Sequence, residues 1–209
     1  MISNGITEIG KREAKQIKEE YSELFLPSTL RSIGESAFEY NILLKSVHFP
    51  DGLEEIGAKA FFFCDELEKV TIPGAVTYIE EEAFKGCKRL NCVTLNYGVK
   101  AIKASAFDAC PELKSIDIPS TVTEFGWHAF RKGTLENLFL SAGPSQYDAL
   151  AKSFGSGLFG GGSEERIQLF HALASVKDDI NITLHVPQGT EMAYKRHPFF
   201  GKFVNIVTR

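Results

Sequence analysis

Several features of common protein classes are scarce in this sequence of 209 residues. Four cysteines are too few for a disulfide-braced scaffold. No run of about 18 apolar residues occurs, so no transmembrane helix is expected. The 23 lysines and arginines are outnumbered by 27 aspartates and glutamates, and neither half of the chain is strongly basic. Nucleic acid is therefore not an expected partner.

Motifs of catalysis are also scarce. No G-x-S-x-G is present, and no serine or cysteine nucleophile has an assignable base. The histidines lack metal-ligand spacing such as H-E-x-x-H. The stretch "GSGLFG" matches G-x-G-x-x-G, but a helical pattern precedes it where a strand is required, and Glu164 and Glu165 would repel a phosphate at the following helix. The sequence predicts a protein that is not an enzyme, with no metal and no cofactor.

What the sequence does contain is a repeat with a period of 23 residues, which can be followed from Pro27 to Leu140. Each unit carries an Ala-Phe pair near its middle and ends in apolar alternation, as in "KVTIP" and "SIDIP". The last unit is one residue shorter. The units begin at Pro27, Pro50, Pro73, Asn96 and Pro119.

A repeat of this length predicts a chain wound into coils. One coil cannot bury its apolar residues alone, so neighbouring coils stack and residues at equal places form ladders. The period-2 endings predict half-buried strands that join a parallel sheet, with coils about 4.8 Å apart. Pieces such as "VTYI" predict a second short strand or a bend. The Ala-Phe pair predicts a tight corner with the ring pointing inward.

The repeat resembles the BspA-type leucine-rich repeat, with the pattern Pro-x-x-Val-x-x-Ile-Gly-x-x-Ala-Phe-x-x-Cys-x-x-Leu-x-x-Val-x-Ile. It departs from that pattern at Glu80 and Lys103, where the glycine is absent, and at Asn41 and Gly133, where the cysteine is absent. The resemblance implies a right-handed leucine-rich repeat solenoid with stacked parallel strands. It also implies adhesion to host or matrix proteins at a bacterial or protozoan surface.

The chain is expected to form one continuous domain of about six coils. Residues 1–26 are interpreted as an N-terminal capping coil, 27–140 as five leucine-rich repeats, 141–181 as a helical insertion and 182–209 as a C-terminal cap. The tail "ITLHVPQGTEMAYKRHPFFGKFVNIVTR" is similar to the closing segment of some BspA-type surface proteins, in which a strand ending in Val-Pro precedes a short helix and a final strand.

Three cysteines share one place of the repeat. Cys64, Cys87 and Cys110 are 23 residues apart, so stacking makes a metal site or a disulfide conceivable. A column of three thiolates is not tetrahedral zinc geometry, however, and a free cysteine is a small residue that suits a buried corner. We expect reduced thiols packed in the core, with Cys92 alone on the strand surface.

The outward positions of the strands are the candidate binding site. Solenoids present such columns as an extended face for a partner. The alternative is a merely solvated face, because these side chains are small and lack the Trp, Tyr and Arg of binding hot spots. The two predicted columns are Ser46, Lys69, Cys92 and Ser115, then His48, Thr71, Thr94 and Asp117.

A second candidate is the apolar pair Phe62 and Phe63 at a corner. It is either a partner contact or packed under the cap or a neighbouring coil.

The sequence therefore predicts a monomeric, non-catalytic binding module for protein or glycan, with surface adhesion implied by the resemblance. An intracellular protein–protein scaffold is the alternative, and an enzyme seated in the 141–181 insertion is a third hypothesis. The location stays open. It is the cell surface or the exterior if a signal segment was removed, and the cytoplasm if Met1 is the native start.

Overall fold

A computed structural model describes residues 5–11, 14, 21–126, 128–130, 135–144, 180–197 and 200–209. The helical insertion predicted for 141–181 lies outside the described residues except at its two ends, and so does "GSGLFG". Through the repeats, each turn of the chain contributes one short and one longer strand.

The strands carry labels in chain order. The short strands are β1 (Glu8–Ile9), β3 (Ser32–Ile33), β5 (Glu55–Ile56), β7 (Tyr78–Ile79), β9 (Ala101–Ile102) and β11 (Glu124–Phe125). The longer strands are β2 (Glu23–Phe25), β4 (Ser46–His48), β6 (Lys69–Ile72), β8 (Cys92–Leu95), β10 (Ser115–Ile118), β12 (Asn137–Leu140), β13 (Ile180–Val186) and β14 (Phe203–Thr208).

All described strand pairs are parallel and join neighbouring coils. The short strands form one six-stranded sheet in the order β1-β3-β5-β7-β9-β11. The longer strands form two four-stranded sheets, β2-β4-β6-β8 and β10-β12-β13-β14. The predicted parallel solenoid of about six coils is confirmed. Its long-strand side is divided, because β8 and β10 lie side by side without a hydrogen-bonded ladder between them.

Alternation along the longer strands separates core from surface. In β6, Val70 and Ile72 are buried, whereas Lys69 and Thr71 point outward. At the corner, five phenylalanine rings stack from coil to coil with centroids 5.3 to 5.6 Å apart and planes within 12° of parallel. These rings belong to Phe38, Phe61, Phe84, Phe107 and Phe130. Identical places therefore form a continuous ladder, as the repeat predicts.

The corner is tight because the backbone turns left-handed on both sides of this ladder. Two residues before each ring, φ lies between 55° and 57° in all five coils. Two residues after it, Tyr40, Phe63, Gly86 and Ala109 also have positive φ. The corner amides donate to the next coil: Ser36 to the carbonyl of Ala58 and Phe38 to that of Ala60, at 2.9 and 2.7 Å.

The C-terminal segment continues the stack. β13 pairs with β12, and β14 pairs with β13. Between them lie helix α1 (Glu191–Arg196) and a 3-10 turn (Phe200–Lys202). Tyr194 of α1 is fully buried, and its hydroxyl donates to the carbonyl of Ala142 at 2.5 Å. This segment therefore covers the end of the coil that carries β12.

We expect Phe84→Ala to lower the free energy of unfolding by about 3–5 kcal/mol, because the ring is fully buried between two others and its loss leaves a cavity. Urea denaturation followed by circular dichroism measures this change. Phe25→Ala is the control, since that ring is 65% exposed and its removal should cost less than about 0.5 kcal/mol. A loss below roughly 1 kcal/mol for Phe84→Ala would show that the ladder is not core.

Candidate binding surface

The eight predicted site residues all lie on the outer side of the longer strands. Their side chains are exposed, except that Ser46 is half-buried. The strand register brings them into columns, with Lys69 beside Ser46 and Cys92, and Thr71 beside Thr94. The same register extends the columns to strands that the predicted set does not include.

The first extension is an aromatic pair at the N-terminal end of the face. Phe25 stands beside His48 in the β2–β4 register. Its ring stacks on the imidazole with centroids 4.2 Å apart and planes 2° from parallel. His48 Nε2 lies 3.0 Å from Glu23 Oε1, which holds the imidazole in this orientation. The predicted residue His48 is therefore one half of an exposed stack.

A second aromatic pair lies at the other end of the face. Phe139 of β12 stacks on His185 of β13, with centroids 4.0 Å apart. His185 Nε2 lies 2.9 Å from Asn137 Oδ1. Partial burial and the nearby positive charge of Arg209 lower the pKa of His185 below its ordinary value. The lowered pKa favours the neutral, uncharged imidazole at pH 7.

Arg209 holds the side chains at this second end of the face in place. Its Nη1 and Nη2 donate to the two carboxylate oxygens of Asp117 at 2.7 and 3.0 Å, and Nη2 also reaches Ser141 Oγ at 2.9 Å. The guanidinium carbon lies 5.4 Å from the centre of the Phe139 ring. Asp117, a predicted contact residue, is thus held in a two-pronged ion pair that ties β10 to the chain end.

The middle of the face is polar. Lys69, Thr71, Cys92 and Thr94 are exposed there. Within the described part of the chain, no acidic group pairs with the Lys69 ammonium.

The expectation that this face lacks aromatic and arginine side chains holds only for its four central strands, β4, β6, β8 and β10. Phe25, Phe139, His185 and Arg209 were missed because the columns were read only inside the regular repeats. The period itself could have found two of them, since Phe25 lies 23 residues before His48 and Phe139 lies 22 residues after Asp117. His185 and Arg209 belong to the terminal strands, where the period no longer applies.

The pair Phe62 and Phe63 lies at the corner and is half-buried. The Phe63 ring covers Gly86 of the next coil so closely that a Cβ there would come within 2.9 Å of it. Tyr40 of the preceding coil stacks on Phe63 with centroids 5.8 Å apart and meets Phe62 edge-on at 5.6 Å. The pair thus packs on neighbouring coils and still keeps an open side.

The sequence model of the BspA-type leucine-rich repeat matches residues 4–136 in six copies. The chain belongs to this family. Among the described residues, no helix is long and apolar enough to cross a membrane. A comparison with curated protein sequences gives no significant match.

Solved structures similar to this BspA-type chain are bacterial leucine-rich repeat proteins. One is a leucine-rich cell surface protein of Faecalibacterium prausnitzii, with 30% identity over 65% of this chain and 43% of that one, and a TM-score of 0.49. Another, from T. pallidum, has 28% identity over 61% and 55%, with a TM-score of 0.38. A third, from Bacteroides ovatus, has 20% identity over 90% and 60%, with a TM-score of 0.40. The chain spans about half the length of the first two.

The cysteine column of this BspA-type protein has a structural role. Cys64, Cys87 and Cys110 are buried and form no disulfide with one another, and each thiol donates to the carbonyl of the ladder phenylalanine one coil earlier, at 3.2 to 3.3 Å. Burial raises the pKa of Cys87, and it raises the pKa of Cys110 to about 12. The predicted core packing is confirmed, and Cys92 is exposed as expected.

We expect a single thiol of the native protein to react rapidly with Ellman's reagent at pH 8. The raised pKa values keep the Cys87 and Cys110 thiols protonated at that pH, and burial of all three thiols, Cys64 included, blocks the reagent. Four thiols should react after denaturation. Cys92→Ser is the control, and it should abolish the rapid phase. Rapid reaction of two or more native thiols would contradict the buried column.

Proposed function

We propose that this BspA-type chain is a non-catalytic protein-recognition module whose contact surface is the outer face of the longer strands. The observation that carries the proposal is the pair of aromatic stacks at the two ends of that face, Phe25 with His48 and Phe139 with His185. Aromatic and arginine side chains are the groups that most often dominate protein–protein binding energy.

The spacing of the two stacks fits an elongated partner. His48 and Phe139 are four strands apart along the face, which corresponds to about 19 Å at a strand spacing of about 4.8 Å. The stretch between them carries small polar side chains, so a partner that lies across it can meet both stacks at once. Lys69 then supplies a cation in the middle, and Arg209 fixes the geometry of the far stack.

Adhesion to host or matrix proteins at a bacterial surface is the finer form of this proposal. Membership of the BspA-type family supports it, because the resemblance implies that role. An intracellular scaffold would use the same face on an endogenous partner. Glycans are the competing class of ligand, and a screen against arrays of both proteins and glycans distinguishes the two.

The screen probes immobilised arrays of matrix proteins and of glycans with the intact chain. We expect binding to a protein spot, and a loss of at least about tenfold in affinity when Lys69, Thr71 and Thr94 are together replaced by glutamate. In the matched control, glutamate replaces Lys100, Thr77 and Thr123, which are a lysine and two threonines on the short-strand side. It should bind like the original chain. Equal losses in both triple variants, or binding to glycans alone, would contradict the proposal.

The end stacks provide a separate prediction. Phe25→Ala and Phe139→Ala should each weaken binding of the protein found in the screen by about tenfold, because each removes an aromatic anchor. Surface plasmon resonance measures the affinities. Tyr78→Ala, which removes an exposed ring from β7 on the short-strand side, is the control. Unchanged affinity in both phenylalanine variants would exclude the stacks as anchors.

A further inference from the structure

The long-strand side is interrupted at one place, between β8 and β10. The two strands lie side by side, but they belong to different sheets, β2-β4-β6-β8 and β10-β12-β13-β14. We call this boundary between the third and fourth regular repeats the seam. Each strand keeps the ladder on its other side, because β8 pairs with β6 and β10 pairs with β12. The interruption is therefore confined to one boundary.

The hydrogen bonds of β8 show which of its backbone groups face the seam. Successive residues of a strand in a parallel sheet direct their N–H and C=O groups to opposite neighbours. The amide of Cys92 donates to the carbonyl of Glu68 at 3.3 Å, so Cys92 and Thr94 face β6. The amides of Val93 and Leu95 therefore point into the seam.

The same reasoning applies to β10 on the other side. The amide of Asn137 donates to the carbonyl of Lys114 at 3.0 Å, so Lys114 and every second residue after it face β12. The amides of Ser115 and Asp117 consequently point into the seam. Between β8 and β10, which both lie in the described part of the chain, no backbone hydrogen bond crosses it.

The third and fourth repeats are firmly joined on their other sides. Their short strands β7 and β9 are paired. At the corner, the amides of Phe84 and Gly86 donate to the carbonyls of Ala106 and Asp108 at 2.9 and 2.8 Å, and the rings of Phe84 and Phe107 stack with centroids 5.5 Å apart. The two repeats are thus bonded along the short-strand side and the corner and unbonded along the long strands, which is the arrangement of a hinge.

The sequence differs where β8 ends. Four of the five repeats begin with proline, whereas the repeat that follows β8 begins with Asn96. Its amide donates to the carbonyl of Ile72 at 3.1 Å, which extends the bonding of this chain segment to β6. Gly98 then packs so closely on the preceding turn that a Cβ there would come within 1.9 Å of the Gly74 carbonyl oxygen. These contacts hold the end of β8 toward β6, on the side away from β10.

We propose that the solenoid bends at the seam, with the short strands and the corner as the hinge. The long-strand ends of the third and fourth repeats separate and close again, because no ladder of hydrogen bonds has to break there. The aromatic stacks lie on opposite sides of the seam, Phe25 with His48 before it and Phe139 with His185 after it. Bending changes the distance between the stacks, so the face can follow partners of different curvature. This consequence rests on the proposed function, whereas the bending itself does not.

The core limits how far the seam can open. Val93 and Leu95 on one side and Ile116 and Ile118 on the other are buried. Full separation of the strands would expose these side chains to water, which opposes it. A bend through a small angle keeps them covered. It still moves the two ends of the face, because displacement grows with distance from the hinge.

Amide hydrogen exchange of the full chain, followed residue by residue by NMR, tests the seam. After correction for intrinsic rates, we expect the four amides that face the seam to exchange at least about 100-fold faster than amides of the same strands that donate into ladders. The first set is Val93, Leu95, Ser115 and Asp117, and the control set is Cys92, Thr94, Ile116 and Ile118. Equal protection of the two sets would overturn the proposal.

Spin labels measure the bending itself. In a Cys92→Ser background, labels at Ser22→Cys and Glu136→Cys span the seam on the long-strand side, across five strand spacings or about 24 Å. Labels at Glu8→Cys and Glu124→Cys span the same number of spacings on the short-strand side and form the matched control. The three remaining native thiols are buried and should not take the label.

We expect double electron–electron resonance to give a broader distribution of distances for the long-strand pair of labels than for the short-strand pair. Circular dichroism verifies that both variants keep the fold. Equal widths, or a broader distribution on the short-strand side, would overturn the proposal. Neither measurement needs a partner, so a failed array experiment leaves the bending intact, and a rigid seam leaves the array result intact.

Discussion

Contact between neighbouring coils is the interaction on which this molecule depends. A single coil has an apolar side but nothing within itself to cover it, so each coil is buried by the coils before and after it. The ladder of five phenylalanine rings is the clearest form of this contact. Hydrogen bonds add to this contact in both directions, because the corner amides donate to the next coil and the cysteine thiols donate to the preceding one.

Stacking also decides where function can reside. Places that point inward are fixed by the ladder, whereas places that point outward are free to differ between coils. On the long-strand side this freedom produces a polar centre with an aromatic stack at each end. At the corner it produces an apolar patch on two coils and paired charges on the next.

The sequence predicted the repeating part well because one rule acts on every coil. Equal spacing of Phe38, Phe61 and Phe84 specifies their stacking without further information. Outward residues lack such a rule. Arg209 reaches Asp117 across 92 positions of sequence, and that contact follows from the folded path of the C-terminal strands. The left-handed backbone at Tyr40 and Phe63 was equally hidden, because no glycine marks it.

Removing one whole coil tests the stacking account most directly. Deletion of residues 73–95 joins Ile72 to Asn96 and brings equivalent places of the next coil into register. We predict a shorter chain that still unfolds cooperatively and keeps its strand signal in circular dichroism, at reduced stability. A deletion of 73–83 puts the places out of register and should abolish cooperative folding. If the variant that lacks residues 73–95 is as unfolded as the variant that lacks residues 73–83, the coils are not the interchangeable units that this account requires.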